Sequence, residues 1–277
     1  MVLQNIDKRL IKFLDKVMLG DCLEILRQIP NESIDLIFVD PPYNLGKNYN
    51  VYVDKKSEKE YLRWSYKWLN ECIRLLKPSG SLFIVNLPKW ALKYMLFLNK
   101  KLYLQHAIAW FGMSEPRGKI MPAHYTILWY TKSKNEFKLN RSELISIRFH
   151  PRYVCLRNEC KLKLEQILSG NSMKFNDELG YSNELTDVWY DIHRLKHRSK
   201  RVPYHPCQLP EKLLERIILL TTDPGDIILD PMCGTGTTLV VAKKLNRHFI
   251  GIDIDPIYVE ISRKRLSAVS SQLLLYL

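Results

Sequence analysis

The chain has 277 residues, of which 46% are hydrophobic and 26% are charged, the composition of a folded globular protein. Charged residues interrupt the N-terminal stretch 1–16, and no run approaches the roughly 18 uninterrupted apolar residues of a membrane span, so we expect a soluble cytoplasmic protein with no membrane partner. The net charge of +13 would attract a polyanion such as nucleic acid, and the six cysteines show no zinc-site spacing, so no metal is expected.

The first half of the chain predicts a strand, a helix and a second strand. Residues 33–39 form a short apolar run that stops at Asp40-Pro41-Pro42-Tyr43, as a buried strand does when it meets a rigid loop. Residues 61–76 carry apolar side chains at helical spacing. The sequence Lys-Pro-Ser-Gly at 77–80 is expected to break that pattern before a buried strand at 81–85.

The second half repeats the alternation after an irregular stretch. Residues 124–130 alternate like a further strand, and the periodicity then fades between residues 140 and 203. Helices at 209–222 and 238–245 and strands at 227–229 and 248–252 follow. Buried strands linked by helices predict an α/β protein with a doubly wound, mostly parallel sheet and one inserted region.

A glycine loop lies between a predicted strand and a predicted helix of the second half. Gly234 and Gly236 allow a tight turn close to a ligand, and Asp253 ends the next strand, where this fold places an acid on ribose hydroxyls. The third glycine of a dinucleotide loop is missing, and Pro231 follows Asp230 directly, so no pyrophosphate site is indicated. A nucleoside without phosphates, such as S-adenosylmethionine, fits better. Taken alone, the loop would be an ordinary tight turn.

The tetrapeptide after the first predicted strand has the groups that an amine substrate needs. An exocyclic base amine is a poor nucleophile, and two acceptors for its hydrogens would favour its reactive form. The Asp40 carboxylate and the Pro41 carbonyl could supply them, while Tyr43 offers a ring face to a base flipped out of the duplex. The alternative is a rigid turn that ends a strand and carries a solvated aspartate.

Several motifs, taken in order along the chain, resemble the DNA amino-methyltransferases in the permuted β arrangement. They are Gly20-Asp21-Cys22, Asp40-Pro41-Pro42-Tyr43-Asn44, Lys77-Pro78-Ser79-Gly80-Ser81, His205-Pro206-Cys207-Gln208-Leu209-Pro210, the segment 230–238, and Phe249-Ile250-Gly251-Ile252-Asp253. The resemblance covers nearly the whole chain. It implies a Rossmann-like methyltransferase fold in permuted order, with S-adenosylmethionine as cofactor.

The resemblance also implies roles for individual residues. The catalytic set is Asp40, Pro41, Pro42 and Tyr43. The cofactor set is Asp21, Cys22, His205, Gln208, Asp230, Met232, Gly234, Thr235, Gly236, Thr237 and Asp253. Asp40 is typical of members that methylate adenine N6, whereas members that methylate cytosine N4 usually carry Ser there. Leu209 stands where adenine-specific members often have Lys, so the cytosine-N4 activity remains the alternative.

The irregular region is expected to recognise DNA. A dense basic run follows residue 193, and its expected phosphate contacts are Arg194, Lys196, Arg198, Lys200 and Arg201. We therefore divide the chain into a catalytic half at 1–139, an inserted target-recognition region at 140–203 and a cofactor-binding half at 204–277.

The expected partner is double-stranded DNA in the prokaryotic cytoplasm, where the chain would associate with the nucleoid. A homodimer and a cognate restriction endonuclease, as in a restriction-modification system, are left open. The remaining alternatives are an RNA or small-molecule methyltransferase with the same cofactor fold, and a catalytically silent DNA-binding module.

Overall fold

The computed structural model describes residues 7–47, 49–112, 123–140, 186–195 and 208–274, and the side chains up to residue 269. Except for Thr186, these residues belong to the compact unit formed by residues 1–140 and 187–277. None of the helices in the described ranges is long and apolar enough to cross a membrane.

The described elements alternate between helix and strand for most of the chain. The helices are α1 (Lys8–Ile11), α2 (Cys22–Leu26), α3 (Glu58–Leu75), α4 (Pro88–Leu98), α5 (Glu211–Thr221), α6 (Thr237–Lys244) and α7 (Pro256–Leu274). The strands are β1 (Lys16–Leu19), β2 (Ile34–Val39), β3 (Leu76–Asn86), β4 (Tyr103–Phe111), β5 (His124–Thr131), β6 (Val188–Trp189), β7 (Ile227–Asp230) and β8 (His248–Asp253).

The eight described strands form one sheet in the order β1-β8-β7-β2-β3-β5-β4-β6. The strands from β1 to β3 in this order are all parallel, β5 is antiparallel to both β3 and β4, and β6 runs parallel to β4. The expected doubly wound, mostly parallel sheet is therefore confirmed. Its chain order is permuted, because β7 and β8, from the end of the chain, lie between β1 and β2, from its beginning.

Both faces of the sheet are covered, as the apolar strands require. Ile37 and Val39 of β2 point into a core that they share with residues of α1 to α4. Leu36 and Phe38 alternate with them and are also buried, but they lie outside that core. On this second side, α6 packs against β7 and β8, and α7 packs against β1 and β8.

Three boundaries differ from the expectations for local reasons. The segment 77–80 does not break the chain, because β3 begins at Leu76 and absorbs it through a register irregularity against β2. Helix α3 begins earlier than expected, because Ser57 and Glu60 form a capping box at its start. Strand β6 falls inside the region assigned to the insertion and pairs with β4.

The topology brings four strand ends to one edge of the sheet. Because β1, β8, β7 and β2 are neighbours and parallel, their carboxyl ends meet there. This is the edge at which open α/β sheets bind ligands.

Candidate active site

A pocket opens at this edge and is lined by a carboxylate from each of the four strand ends. Asp21 follows β1, Asp40 follows β2, Asp230 ends β7 and Asp253 ends β8. Gly234 lines the same pocket as Asp40. The loop after β2 and the glycine loop after β7, which are far apart in sequence, therefore share one cavity.

The loop after β2, residues 40–47 and 49–57, is called the proline loop here. In it the Tyr43 hydroxyl donates a hydrogen bond of 2.5 Å to Oδ1 of Asp40. The Pro42 carbonyl accepts from the Tyr61 hydroxyl at 2.6 Å, and the Tyr43 carbonyl accepts from Nε1 of Trp90 at 2.8 Å. No such bond to the Pro41 carbonyl is found among the described residues. Helices α3 and α4 therefore fix two carbonyls of the loop and leave that of Pro41 available.

Asp54 holds the middle of the proline loop together. Its side chain is buried, and its carboxylate accepts from the backbone N–H groups of Asn44, Leu45 and Lys47. Farther along the loop, Asn50 donates through Nδ2 to Oδ2 of Asp255 at 2.9 Å. Since Asp255 follows β8, this bond ties the proline loop to the opposite wall of the pocket.

The glycine loop, residues 231–236, is held mainly by the acids at its two sides. Asp230 accepts from Thr238 Oγ1 at 2.6 Å and from the Met232 N–H at 3.1 Å. Asp253 accepts from the Gly234 N–H at 2.7 Å and from the Asp255 N–H at 2.9 Å. The two carboxylates thus order the loop between them.

Burial shifts the protonation of the carboxyls in the pocket. Desolvation raises the pKa of Asp40 to about 7, and the hydrogen bond from Tyr43 opposes it. Desolvation also raises the pKa of Asp230 to about 7, helped by the negative charges of Asp40 and Asp253. The pKa of Asp253 is raised by the same cause. A cation in this pocket would favour the ionised form of all three acids.

No Lys, Arg or His side chain lines the pocket within the described part of the chain, although the chain carries a net charge of +13. Burial raises the pKa of the Cys22 thiol to about 12, so this wall residue is neutral. The acids are not arranged as a metal site, since the described residues contain no group of three or more potential metal ligands. The charge of the pocket therefore suits an organic cation and disfavours phosphate.

Most of the expected site residues that the structure describes line this pocket. They are Asp21, Cys22, Asp40, Pro41, Pro42, Tyr43, Gln208, Asp230, Met232, Gly234, Thr235, Thr237 and Asp253. The expected residues His205, Lys196, Arg198, Lys200 and Arg201 lie outside the described residues.

Two further described residues of the expected sets lie outside the pocket lining. Gly236 does not line the pocket; it precedes α6 with φ +76°, and a Cβ there would lie 2.0 Å from Oγ of Ser262 on α7. Its lack of a side chain serves the approach of two helices. Arg194, whose expected phosphate contact stays a prediction, has its guanidinium 5.0 Å from the ring centroid of Tyr125.

Several residues of the site were not predicted from the sequence. Tyr49, Tyr52, Trp64, Asp255 and Tyr258 line the pocket. Two signals in the sequence were available: Asp255 lies two residues after Asp253, and tyrosines are dense after the tetrapeptide. The anchoring roles of Tyr61 and Trp90 had no local signal.

A family model described as DNA methylase (N6_N4_Mtase) matches residues 34–264. The chain is 38% identical over 257 residues to the type II methyltransferase M.BamHI of Bacillus amyloliquefaciens. This match covers 91% of this chain and 57% of that protein. The chain is 32% identical over 260 residues to the DNA adenine methyltransferase YhdJ of Escherichia coli K12, covering 91% of this chain and 82% of that protein.

Solved structures have the same fold. The cytosine-N4-specific PvuII DNA methyltransferase matches with a TM-score of 0.65 at 18% identity, over 92% of this chain and 89% of that one. The M1.HpyAVI-SAM complex matches with a TM-score of 0.55 at 23% identity, over 91% of this chain and 99% of that one.

Proposed function

Because the chain belongs to the DNA methylase family that the N6_N4_Mtase model describes, we propose that it is an S-adenosylmethionine-dependent DNA methyltransferase acting on adenine N6. The observation that carries this proposal is the pocket in which Asp40 and the glycine loop meet, lined by acids and by no described cation. The likeness to YhdJ, a DNA adenine methyltransferase, supports the choice of substrate.

The residues of the pocket fit S-adenosylmethionine. When bound, this cofactor supplies a methyl group on a sulfonium, and the C–S bond breaks as the new C–N bond forms. Asp253, at the end of β8, is placed to accept hydrogen bonds from ribose hydroxyls. The other acids of the pocket balance the positive charge of a sulfonium and an ammonium group. A dinucleotide would instead place two negatively charged phosphates beside these carboxylates.

Asp40 and Pro41 are the proposed acceptors for the target amine. The Tyr43 hydroxyl occupies Oδ1 of Asp40, which leaves Oδ2 to accept an amine hydrogen, and the Pro41 carbonyl can accept the second. Two acceptors orient the amine with its lone pair away from both. The amine loses one proton during the reaction, and a carboxylate with a pKa of about 7 can take it at neutral pH.

The partner we propose is double-stranded DNA, with the target nucleotide flipped out of the helix. Tyr43 lines the pocket beside Asp40 and offers a ring face for a flipped base, and its ring contacts that of Tyr125 at 5.8 Å between centroids. The basic run after residue 193 would supply the phosphate contacts. We also propose the division into a catalytic half at 1–139, a target-recognition region at 140–203 and a cofactor-binding half at 204–277.

Nucleoside analysis tests the activity. The protein is incubated with double-stranded DNA and S-adenosylmethionine labelled in its methyl group, and the DNA is digested to nucleosides. We expect the label in N6-methyl-2′-deoxyadenosine. Label in N4-methyldeoxycytidine would assign the cytosine activity instead, and DNA without label under conditions where the protein binds the cofactor would overturn the proposal.

A further inference from the structure

A row of contacts leads from the segment after β6 to the catalytic carboxylate. The Arg194 guanidinium lies 5.0 Å from the centroid of the Tyr125 ring. That ring lies 5.8 Å from the ring of Tyr43, whose hydroxyl binds Asp40. Tyr125 and Tyr43 therefore connect Arg194 to the Asp40 carboxylate, although Arg194 and Asp40 lie 154 positions apart in the chain.

Arg194 is held in place by packing at the end of β4. A Cβ added to Gly112 would lie 2.8 Å from Cε2 of Tyr125 and 3.2 Å from Cδ of Arg194. The stem of the arginine and the tyrosine ring therefore both pack against the Gly112 backbone. Trp110 supports the same ring at 5.5 Å between centroids and donates through Nε1 to the Ile192 carbonyl at 2.8 Å.

A buried ion pair also anchors the segment that follows β6. Arg216 of α5 donates to both carboxylate oxygens of Asp191, and its side chain is 1% exposed. The Arg216 guanidinium also lies 5.0 Å from the ring centroid of Trp189, which pairs with Trp110 across β6 and β4. The backbone that carries Arg194 is thus fixed to both the sheet and a helix.

We propose that Arg194 is a positioning residue of the active site, which holds Tyr125 against Tyr43 and directs its charge toward Asp40. This inference rests on the proposed function. It gives Arg194 a role other than the general phosphate contact expected from the sequence, because its guanidinium packs on an aromatic ring of the site.

The charges around Asp40 agree with this role. The positive charges of Lys47, in the proline loop, and of Arg194 lower the pKa of Asp40 against the desolvation that raises it. Tyr43 donates to its carboxylate, and on the neighbouring strand Asp230 interacts with it as a like charge. Loss of Arg194 should therefore raise the pKa of Asp40, and the carboxylate should require a higher pH to ionise.

The test compares Arg194→Gln with Arg194→Lys and with a control, Lys134→Gln. Lys134 is exposed and follows the end of β5, at the edge of the sheet away from the pocket, so its loss removes one charge without touching the site. Single-turnover methyl transfer is measured from pH 5.5 to 9 at saturating DNA and cofactor, together with the melting temperature and the KM for DNA.

We expect Arg194→Gln to move the acidic midpoint of the rate profile to higher pH, with a several-fold loss of rate on the acidic side. Arg194→Lys should recover most of the shift, and Lys134→Gln should show none. An unchanged midpoint with a raised KM for DNA would overturn the proposal and leave Arg194 as a phosphate contact. If the wild-type protein transfers no methyl group, the proposed function itself fails.

Gly112→Ala gives a second test if Arg194→Gln does not fold. The added methyl group displaces the Tyr125 ring and the Arg194 stem but removes no charge. We expect a several-fold lower single-turnover rate with an unchanged KM for DNA. A rate equal to that of the wild-type protein would contradict the positioning role.

Discussion

The proline loop and the glycine loop line the same pocket but are ordered in different ways. The glycine loop is fixed largely by acids beside it, since Asp230 binds Met232 and Thr238, two and eight residues away. The proline loop is fixed by side chains from other elements, since Tyr61 and Trp90 bind its carbonyls from 19 and 47 residues away. The proposed cofactor side of the site is thus local in sequence, and the proposed catalytic side depends on tertiary packing.

The two loops also use their acids differently. Both oxygens of Asp230 accept a hydrogen bond from the protein, whereas Asp40 is bound through Oδ1 by Tyr43. Burial nevertheless raises the pKa of both carboxyls to about 7. Asp230 is therefore suited to ordering a loop, and Asp40 has an oxygen to offer to a substrate.

Asp40→Ala should have the largest effect and should distinguish the roles of the two loops. We expect a roughly 1,000-fold loss of kcat, because an acceptor for the target amine is removed. The affinity for the cofactor, measured by calorimetry, should be kept because the glycine loop is unaltered. A parallel loss of cofactor affinity would contradict this division of roles, and Asp7→Ala, at the exposed N-terminal cap, is the control.

Gly236→Ala should damage the glycine loop through its packing. The φ of +76° costs a residue with a side chain about 1 kcal/mol, and contact with Ser262 adds about 2 kcal/mol to the loss of stability. Gly46 is the matched control, because it has φ +72° in the proline loop and open space around it. Chemical denaturation should show about 1 kcal/mol for Gly46→Ala. Equal losses for the two variants would exclude the packing argument.

Asp253→Ala should weaken the cofactor side alone. We expect the dissociation constant for S-adenosylmethionine to rise roughly 10- to 100-fold through lost ribose contacts, with kcat largely kept at saturating cofactor. Glu260→Ala, an exposed change on α7, should leave the constant unchanged. An Asp253→Ala protein that binds the cofactor normally would place the ribose elsewhere.

Trp90→Phe should weaken the proline loop alone, since it removes the donor to the Tyr43 carbonyl, worth about 1 kcal/mol. We expect a several-fold lower kcat and an unchanged cofactor affinity. Trp68→Phe is the control, because the buried Nε1 of Trp68 has no hydrogen-bond partner. If both variants slow methyl transfer equally, the hydrogen bond does not position the loop.

The pH dependence of stability should come from both loops. The native protein holds protons on Asp40 and Asp230 that the unfolded chain releases near pH 4, so these acids make stability fall as pH rises from about 4 to 7. Asp40→Asn combined with Asp230→Asn should flatten that slope in urea titrations of the cofactor-free protein. An unchanged slope would contradict the raised pKa values.

The sequence predicted what depends on neighbouring residues. The apolar run before Asp40, the glycines of the second loop and the acid at the end of β8 gave the sheet and the two loops. It could not predict that Tyr61 and Trp90 reach the proline loop or that Arg194 packs on Tyr125, because those contacts join distant elements. The contact of Gly236 with Ser262 could not be predicted for the same reason, since Ser262 belongs to another helix.

The shared pocket is tested most directly by a crystal structure with sinefungin. In this analogue of S-adenosylmethionine, a carbon that bears an amine replaces the sulfur that bears the methyl group. We expect the ribose hydroxyls at hydrogen-bond distance from Asp253 and the added amine facing Asp40. An analogue bound elsewhere, or bound with its amine directed away from the proline loop, would contradict it.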